Sequence, residues 1–127
     1  MTSEENMPQL SDKKERTDFF EPVPLMNTLF LAIIQKHPGI TGYEIPKHIV
    51  EIIKLDIPIK SGSLYTQLRR LEKAKLVSSV QEPKGRRLRR YTITSLGEKE
   101  LQLNRNRIEF RVEYILKPLI DYLKKIN

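Results

Sequence analysis

The chain has 127 residues, 23 Lys+Arg against 16 Asp+Glu for a formal net charge of +7, and 39% hydrophobic residues. That balance describes one folded domain with a polyanionic partner, excludes a disordered chain, and leaves no room for a second catalytic domain. The absence of cysteine excludes disulfides, thiolate nucleophiles and Cys-based zinc sites, and two lone histidines, His37 and His48, make no metal centre.

Residues 1–22 are polar and acidic, with three basic and six acidic groups, and read as a mobile N-terminal arm whose Phe19 and Phe20 dock on the body. No apolar run approaches the ~18 residues of a membrane span, and the acidic start does not look like a signal peptide. A soluble cytoplasmic protein is expected.

From Leu25 to Gln35, two interleaved i, i+4 series (Leu25, Leu29, Ile33 and Met26, Phe30, Ile34) predict a helix buried on more than one side. Pro24 suits its first turn, and His37-Pro38-Gly39 stops it. Thr41 and Glu44 match a capping box, with Ile45, Ile49, Ile52 and Ile53 as the inward stripe of a second helix. Pro46 then falls at the fifth helical position, which predicts a kink or a loosened first turn. Ile57-Pro58-Ile59 reads as a short extended piece.

A third helix runs from Ser61 to Lys73, with Leu64, Leu68 and Leu71 facing the core. Leu76–Val80 and Leu88–Thr94 are β-rich and flank a Pro- and Gly-containing loop, a hairpin signal. Ser95 and Glu98 form a second capping-box pattern that opens a long final helix. The fold class is therefore mainly α with a small β-hairpin: a winged helix-turn-helix followed by a long C-terminal dimerisation helix. The domains read as the arm at 1–22, a DNA-binding domain at 23–95 and the dimerisation helix at 96–127.

The charge is uneven along these elements. Residues 60–91 hold ten basic and two acidic groups, an electrostatic footprint for nucleic acid; an ordinary solvated basic face is the competing reading. In a helix-turn-helix the second helix of the pair enters the major groove. Ser63, Thr66, Gln67 and Arg70 carry donors and acceptors suited to base edges, while Ser61, Tyr65 and Arg69 suit phosphates. An amphipathic helix with a wet face would look the same. In the hairpin, Lys84, Arg86, Arg87, Arg89 and Arg90 form an arginine-rich projection able to enter a minor groove or lie along phosphates. Alternation sends Arg87, Arg89 and Tyr91 to one face and Leu88 and Arg90 to the other. Arg90 and Tyr91 have a second reading as structural residues closing the hairpin.

In the final helix, Leu101, Ile108, Val112, Ile115, Leu119, Tyr122 and Ile126 form a coiled-coil-like seam, with Arg105 at the missing position. A helix from Glu98 to Ile126 would be ~43 Å long, too long for this small body to cover. A second copy covers it economically, with Ile108, Val112, Ile115, Leu119 and Tyr122 as the dimer contacts; folding back on the first helix is the alternative. Pro118 predicts a kink or break near Lys117. His37 reads as a helix-end cap and His48 as a boundary residue. No carboxylate pair, Ser/His/Asp set or phosphate-cradling glycine loop can be assembled, so no catalytic residue, metal or cofactor is expected.

Gly42-Tyr43-Glu44-Ile45, Ser61-Gly62-Ser63-Leu64-Tyr65, Leu68-Arg69-Arg70-Leu71-Glu72, Leu76-Val77, Gly85-Arg86-Arg87-Leu88-Arg89-Arg90-Tyr91 and Ile93-Thr94-Ser95-Leu96-Gly97 occur in this order. Over residues 29–101 this resembles the PadR family of prokaryotic transcriptional regulators. The resemblance implies a homodimeric winged-helix repressor that binds an inverted repeat in double-stranded DNA. It further implies that Tyr43, Ser63 and Tyr65 lie against DNA, Tyr43 on the backbone, and that Arg86 and Arg87 form the wing. The chain departs from the family pattern at Thr66, commonly proline, at Lys75, commonly glycine, and at Pro46. It has no tryptophan, so the stacking of a flat aromatic effector known for short members is unsupported; Phe110, Tyr114 and Tyr122 are the candidates to line a small-molecule pocket. A low-specificity architectural DNA-binding protein and a winged-helix adaptor for other proteins are the competing functions. A helix lying on an anionic membrane is disfavoured by Glu100, Glu109, Glu113 and Asp121.

Overall fold

The computed structural model describes residues 20–126, so most of the expected arm, Phe19 included, lies outside the described residues. Two compact units are present, Pro24–Asn106 and 20–23 with 107–126.

Helix α1 spans Leu25–Lys36, with Pro24 as its N-cap residue and His37 as its C-cap. Phe30, Ile33 and Ile34 are buried as their spacing requires, and Leu31, outside both series, is buried as well. The first turn is different, since Leu25 and Met26 are exposed.

The next segment corrects the first capping box. Ile40–Thr41 is a strand, β1, whose residues pair with Tyr91 and Arg90. Gly42–Glu44 follows as a 3₁₀ turn, and α2 begins only at Ile45 and ends at Ile53. The Thr41 hydroxyl makes no capping bond and is buried without a partner, because its backbone belongs to the sheet. Pro46 consequently falls in the first turn of α2, where no backbone N–H is needed and no kink follows. Ile45 and Ile49 reach the core, but Ile52 is 51% and Ile53 38% exposed, so the expected inward stripe stops after two turns. Ile57-Pro58-Ile59 joins no strand; only Ile59 packs on the core, and β1 takes the place of the strand expected there.

Helix α3 spans Ser61–Lys73 and buries Leu64, Leu68 and Leu71. Its C-terminus closes with Leu76 N–H on the Leu71 carbonyl and Lys75 N–H on that of Glu72, both at 2.9 Å. This double bond pattern needs a left-handed residue, and Lys75 supplies it with φ +64° at a cost of about 1 kcal/mol over glycine. Strands β2, Val77–Gln81, and β3, Arg89–Ile93, form the hairpin. With β1 the sheet is three-stranded, in the order β1-β3-β2. Ser79 opposes Tyr91 and Gln81 opposes Arg89, so the row that begins with buried Val77 and Tyr91 continues outward as Gln81 and Arg89. Helices α1–α3 and this sheet enclose one core, each large buried side chain contributing about 1.5–3 kcal/mol.

The final helix begins with α4, Ser95–Arg111. Its cap is Thr94, one residue before the expected Ser95. The Thr94 hydroxyl accepts from Gly97 N–H at 3.0 Å and donates to the carbonyls of Lys75 and Leu76. Thr94→Val is therefore expected to lower stability by about 1–2 kcal/mol in urea unfolding, and Ser95→Ala by under about 0.5 kcal/mol. The reverse order would restore Ser95 as the cap. Along the same helix Asn104 is fully buried with an unpartnered amide, whereas Arg105, the expected seam residue, is exposed. The helix does not break near Lys117. A π segment, Val112–Leu116, leads into α5, Lys117–Ile126, giving 32 helical residues from Ser95. Lys117 N–H bonds the Val112 carbonyl, five residues back. Pro118 has no N–H to offer and its ring crowds the preceding turn, which the wider π turn accommodates.

Candidate nucleic-acid interface

Burial of three leucines on one side of α3 leaves its other side to solvent. Ser61, Ser63, Tyr65, Arg69 and Arg70 are exposed there, and Thr66 is partly so. Gln67 stands apart from them: it is partly buried, and its amide donates to Asn27 Oδ1 on α1. This candidate base reader is thus held on the flank of α3 that faces α1. Tyr43 projects from the 3₁₀ turn and is 57% exposed. Beside it, Gly42 is buried against Tyr65; a Cβ at this position would stand 2.8 Å from Tyr65 Cε1 and 3.1 Å from Leu68 Cδ1. Gly42→Ala is expected to turn the Tyr65 ring and cost about 1–3 kcal/mol by thermal melting. An unchanged melt would mean that Tyr65 does not rest there.

Lys84, Arg86 and Arg87 occupy the exposed hairpin loop. Arg87 has φ +52° and lies outside the β ladder, so strand alternation does not extend to it. Arg90 is the structural member of the basic run: its Nε meets Glu82 Oε1 at 2.6 Å, and its guanidinium donates to the Gly39 carbonyl at 3.0 Å. This ties β3 to both ends of the sheet. Arg89 instead donates to Ser79 Oγ at 3.0 Å and to Gln81 Oε1 at 3.4 Å, both neutral acceptors.

Among the described residues, clefts adjoin α3. One, of about 670 Å³, is lined by apolar Met26, Phe30 and Ile59 and by polar residues that include Lys60, Thr66 and Arg70. Another, of about 450 Å³, lies between α3 and β3 and is lined by Tyr65, Arg69, Glu72, Arg89 and Tyr91. Both Glu72 oxygens accept from Ser79 Oγ, at 2.7 and 2.9 Å. Burial, reinforced by the Glu72 carboxylate, pushes the Tyr91 phenol above its ordinary value, so it remains a neutral donor at physiological pH. Asn27, Glu72 and Ser79 were not expected at this surface. The signal was present for Glu72: it and Glu82 are the only acids in residues 60–91, and each is bonded to a hairpin residue.

In the second unit, Ile108, Val112 and Ile115 are partly buried, while Leu119 is 48% and Tyr122 63% exposed. Leu116, Ile120, Leu123 and Ile126 are exposed too, which makes an apolar surface broader than a two-residue seam. Phe110 and Tyr114 form a tilted ring pair with centroids 5.1 Å apart. In the first unit, His37 does not act only as a helix end: its ring stacks on that of His48 at 4.1 Å, and His48 Nδ1 meets Glu51 Oε2 at 3.1 Å. Among the described residues no group of three or more His, Cys, Asp or Glu is placed to hold a metal ion. No described helix is long and apolar enough to cross a membrane.

Residues 30–103 match the Transcriptional regulator PadR-like family. No curated protein matches the chain. Among solved structures, the chain is similar to smu.1704 from Streptococcus mutans UA159, with 36% identity and a TM-score of 0.56 over 77% of this chain and 93% of that one. It is similar to a PadR family transcription regulator from Clostridium difficile R20291, with 27% identity and a TM-score of 0.57 over 77% and 97%. Bacillus subtilis PadR, solved in complex with operator DNA, shares the fold at 21% identity and a TM-score of 0.55 over 65% of this chain; the match spans 46% of that protein. A polar outer face on α3, an arginine-bearing hairpin and a family match over more than half its length together show that this chain belongs to the PadR-like family of transcriptional regulators.

Proposed function

We propose that the protein is a sequence-specific double-stranded DNA-binding regulator, a repressor that acts in the cytoplasm as a homodimer on an inverted repeat. The observation that carries this reading is the pairing of two cationic elements on one small unit. Helix α3 presents Ser61, Ser63, Arg69 and Arg70, with Thr66 partly exposed beside them, and the neighbouring hairpin presents the exposed Lys84, Arg86 and Arg87. Phosphate contacts supply most of the affinity and the α3 face the selectivity. Tyr43 and Tyr65 add backbone contacts, and Gln67, engaged with Asn27, holds α3 on α1. In this scheme residues 23–95 bind DNA, and residues 96–127 bring two copies together through Ile108, Val112, Ile115, Leu119 and Tyr122. The operator complex of Bacillus subtilis PadR supports the assignment by fold.

The test is fluorescence anisotropy on the protein's own upstream DNA and on shuffled DNA across a salt series. A preference of roughly 10³ or more for the upstream duplex is expected. Arg70→Ala should narrow that preference, whereas Arg86→Ala should weaken all duplexes alike and reduce the salt slope by about one. Equal losses on every sequence from both variants would favour an architectural protein. No binding to any duplex would favour an adaptor.

A further inference from the structure

Arg89 does not behave like the other hairpin arginines. It lies on the strand, in the row that ends over α3, and its partners Ser79 and Gln81 fix its position without neutralising it. Arg69, on α3, donates to the neutral Thr66 hydroxyl at 3.2 Å. Among the described residues neither guanidinium has a carboxylate partner, in contrast to Arg90 with Glu82. Both line the same 450 Å³ cleft, with the phenols of Tyr65 and Tyr91 and the carboxylate of Glu72.

We infer that this cleft is a seat for one phosphodiester of the DNA backbone, gripped at once by the recognition helix through Arg69 and by the sheet through Arg89. The inference rests on the DNA-binding reading above and assigns a partner atom group to a cavity which that reading leaves empty. Two arginines and one glutamate leave the cleft with one net positive charge, the complement of a phosphodiester and not of a doubly charged phosphate ester. Guanidinium groups offer paired donors to phosphate oxygens, and donors held in advance lose little freedom on binding. The phenols add neutral donors, and Tyr91 keeps its proton because burial and Glu72 disfavour the phenolate. Glu72 keeps its charge, which the two guanidinium groups outweigh, and its oxygens are held by Ser79, which in turn receives Arg89. A phosphate shared between α3 and β3 would lock the angle between helix and wing, so the wing tip and the α3 face engage DNA in one register.

The experiment uses the full chain and its upstream duplex, with backbone phosphates replaced one at a time by neutral methylphosphonates. One position should weaken wild-type binding roughly tenfold or more. Arg69→Gln and Arg89→Gln should each weaken binding to unmodified DNA, and both should become indifferent to that same methylphosphonate. Arg86→Gln should remain sensitive to it. Loss of sensitivity at two different phosphates, or at none, overturns the shared seat while leaving DNA binding intact. Saturation of the cleft by inorganic phosphate at constant ionic strength, abolished by either variant, would make a free oxyanion the occupant and overturn the duplex assignment. Failure of the wild type to bind any duplex overturns the DNA reading itself and this inference with it.

Discussion

Gly97→Ala is expected to lower stability by about 3 kcal/mol or more, at the upper end of what one added methyl group costs in a packed site. A Cβ built on Gly97 would lie 2.0 Å from the Leu76 carbonyl oxygen, 3.0 Å from its carbon and 2.7 Å from Ile93 Cγ1. The first two atoms are backbone and cannot turn aside. The Leu76 carbonyl is also held in place, since it accepts from Thr94 N–H at 3.0 Å and from the Thr94 hydroxyl at 3.0 Å. Relief of the clash must therefore part α4 from the start of β2 and break the cap at Thr94 together with it. Helix propensity works the other way, since alanine is about 1 kcal/mol better than glycine inside a helix. The net loss should appear as a fall of roughly 10 °C in Tm by circular dichroism. A fall of under a degree or two would mean that α4 does not press on Leu76.

Gly97 also illustrates where the sequence was readable and where it was not. The bounds of α3 follow from Leu64, Leu68 and Leu71, because a 3.6-residue period is written locally and the buried side of a helix repeats it. The hairpin is legible for a similar reason, since Pro83 and Gly85 separate two β-rich runs. Both capping boxes were misleading, and the cause is the same. Thr41 satisfies the pattern but is claimed by a strand partner fifty residues away, Tyr91 and Arg90 acting on the chain at Ile40–Thr41. Ser95 satisfies it as well, yet Thr94 wins because its hydroxyl can reach Lys75 and Leu76 across the fold. Non-local contacts decide between neighbouring hydroxyls, and no local pattern records them. Pro46 follows from the first error: moving the helix start to Ile45 turns a helix breaker into a first-turn residue.

The candidate interface divides in the same way. Outward residues of α3 and the hairpin tip follow from periodicity and charge, and the structure leaves them exposed. The side chains that depend on a neighbouring element do not. Gln67 looks like a base reader on a helical wheel but meets Asn27 of α1. Arg90 and Arg89 are adjacent and alike in sequence, yet one is neutralised by Glu82 and the other is held by neutral groups. Ladder register makes that difference, and register is set by the turn geometry and by burial of Val77 and Tyr91.

The largest functional effect is expected from Leu119→Asp. Leu119 is 48% exposed within its own chain, and Tyr122 is 63% exposed, so a carboxylate at 119 removes little that a single chain needs for folding. Two copies meeting through this face would have to bury that carboxylate against apolar groups, a cost of several kcal/mol for an unpaired ion. The variant should therefore run as a monomer in sizing with light scattering, with its melting temperature in isolation little changed. Duplex binding should fall far more than for any single phosphate-contacting arginine. When two linked units bind two half-sites, the second event is intramolecular, and its effective concentration raises avidity by roughly 10²–10⁴-fold. Leu119→Asp forfeits that factor without touching a DNA contact, so its affinity for a full inverted repeat should drop to that for a half-site. Arg86→Ala is the reciprocal control, expected to keep the dimer mass while losing affinity on both. A variant that stays dimeric would remove this face from the interface, and a monomer that still prefers the full repeat would mean that the two copies meet on the DNA through other residues.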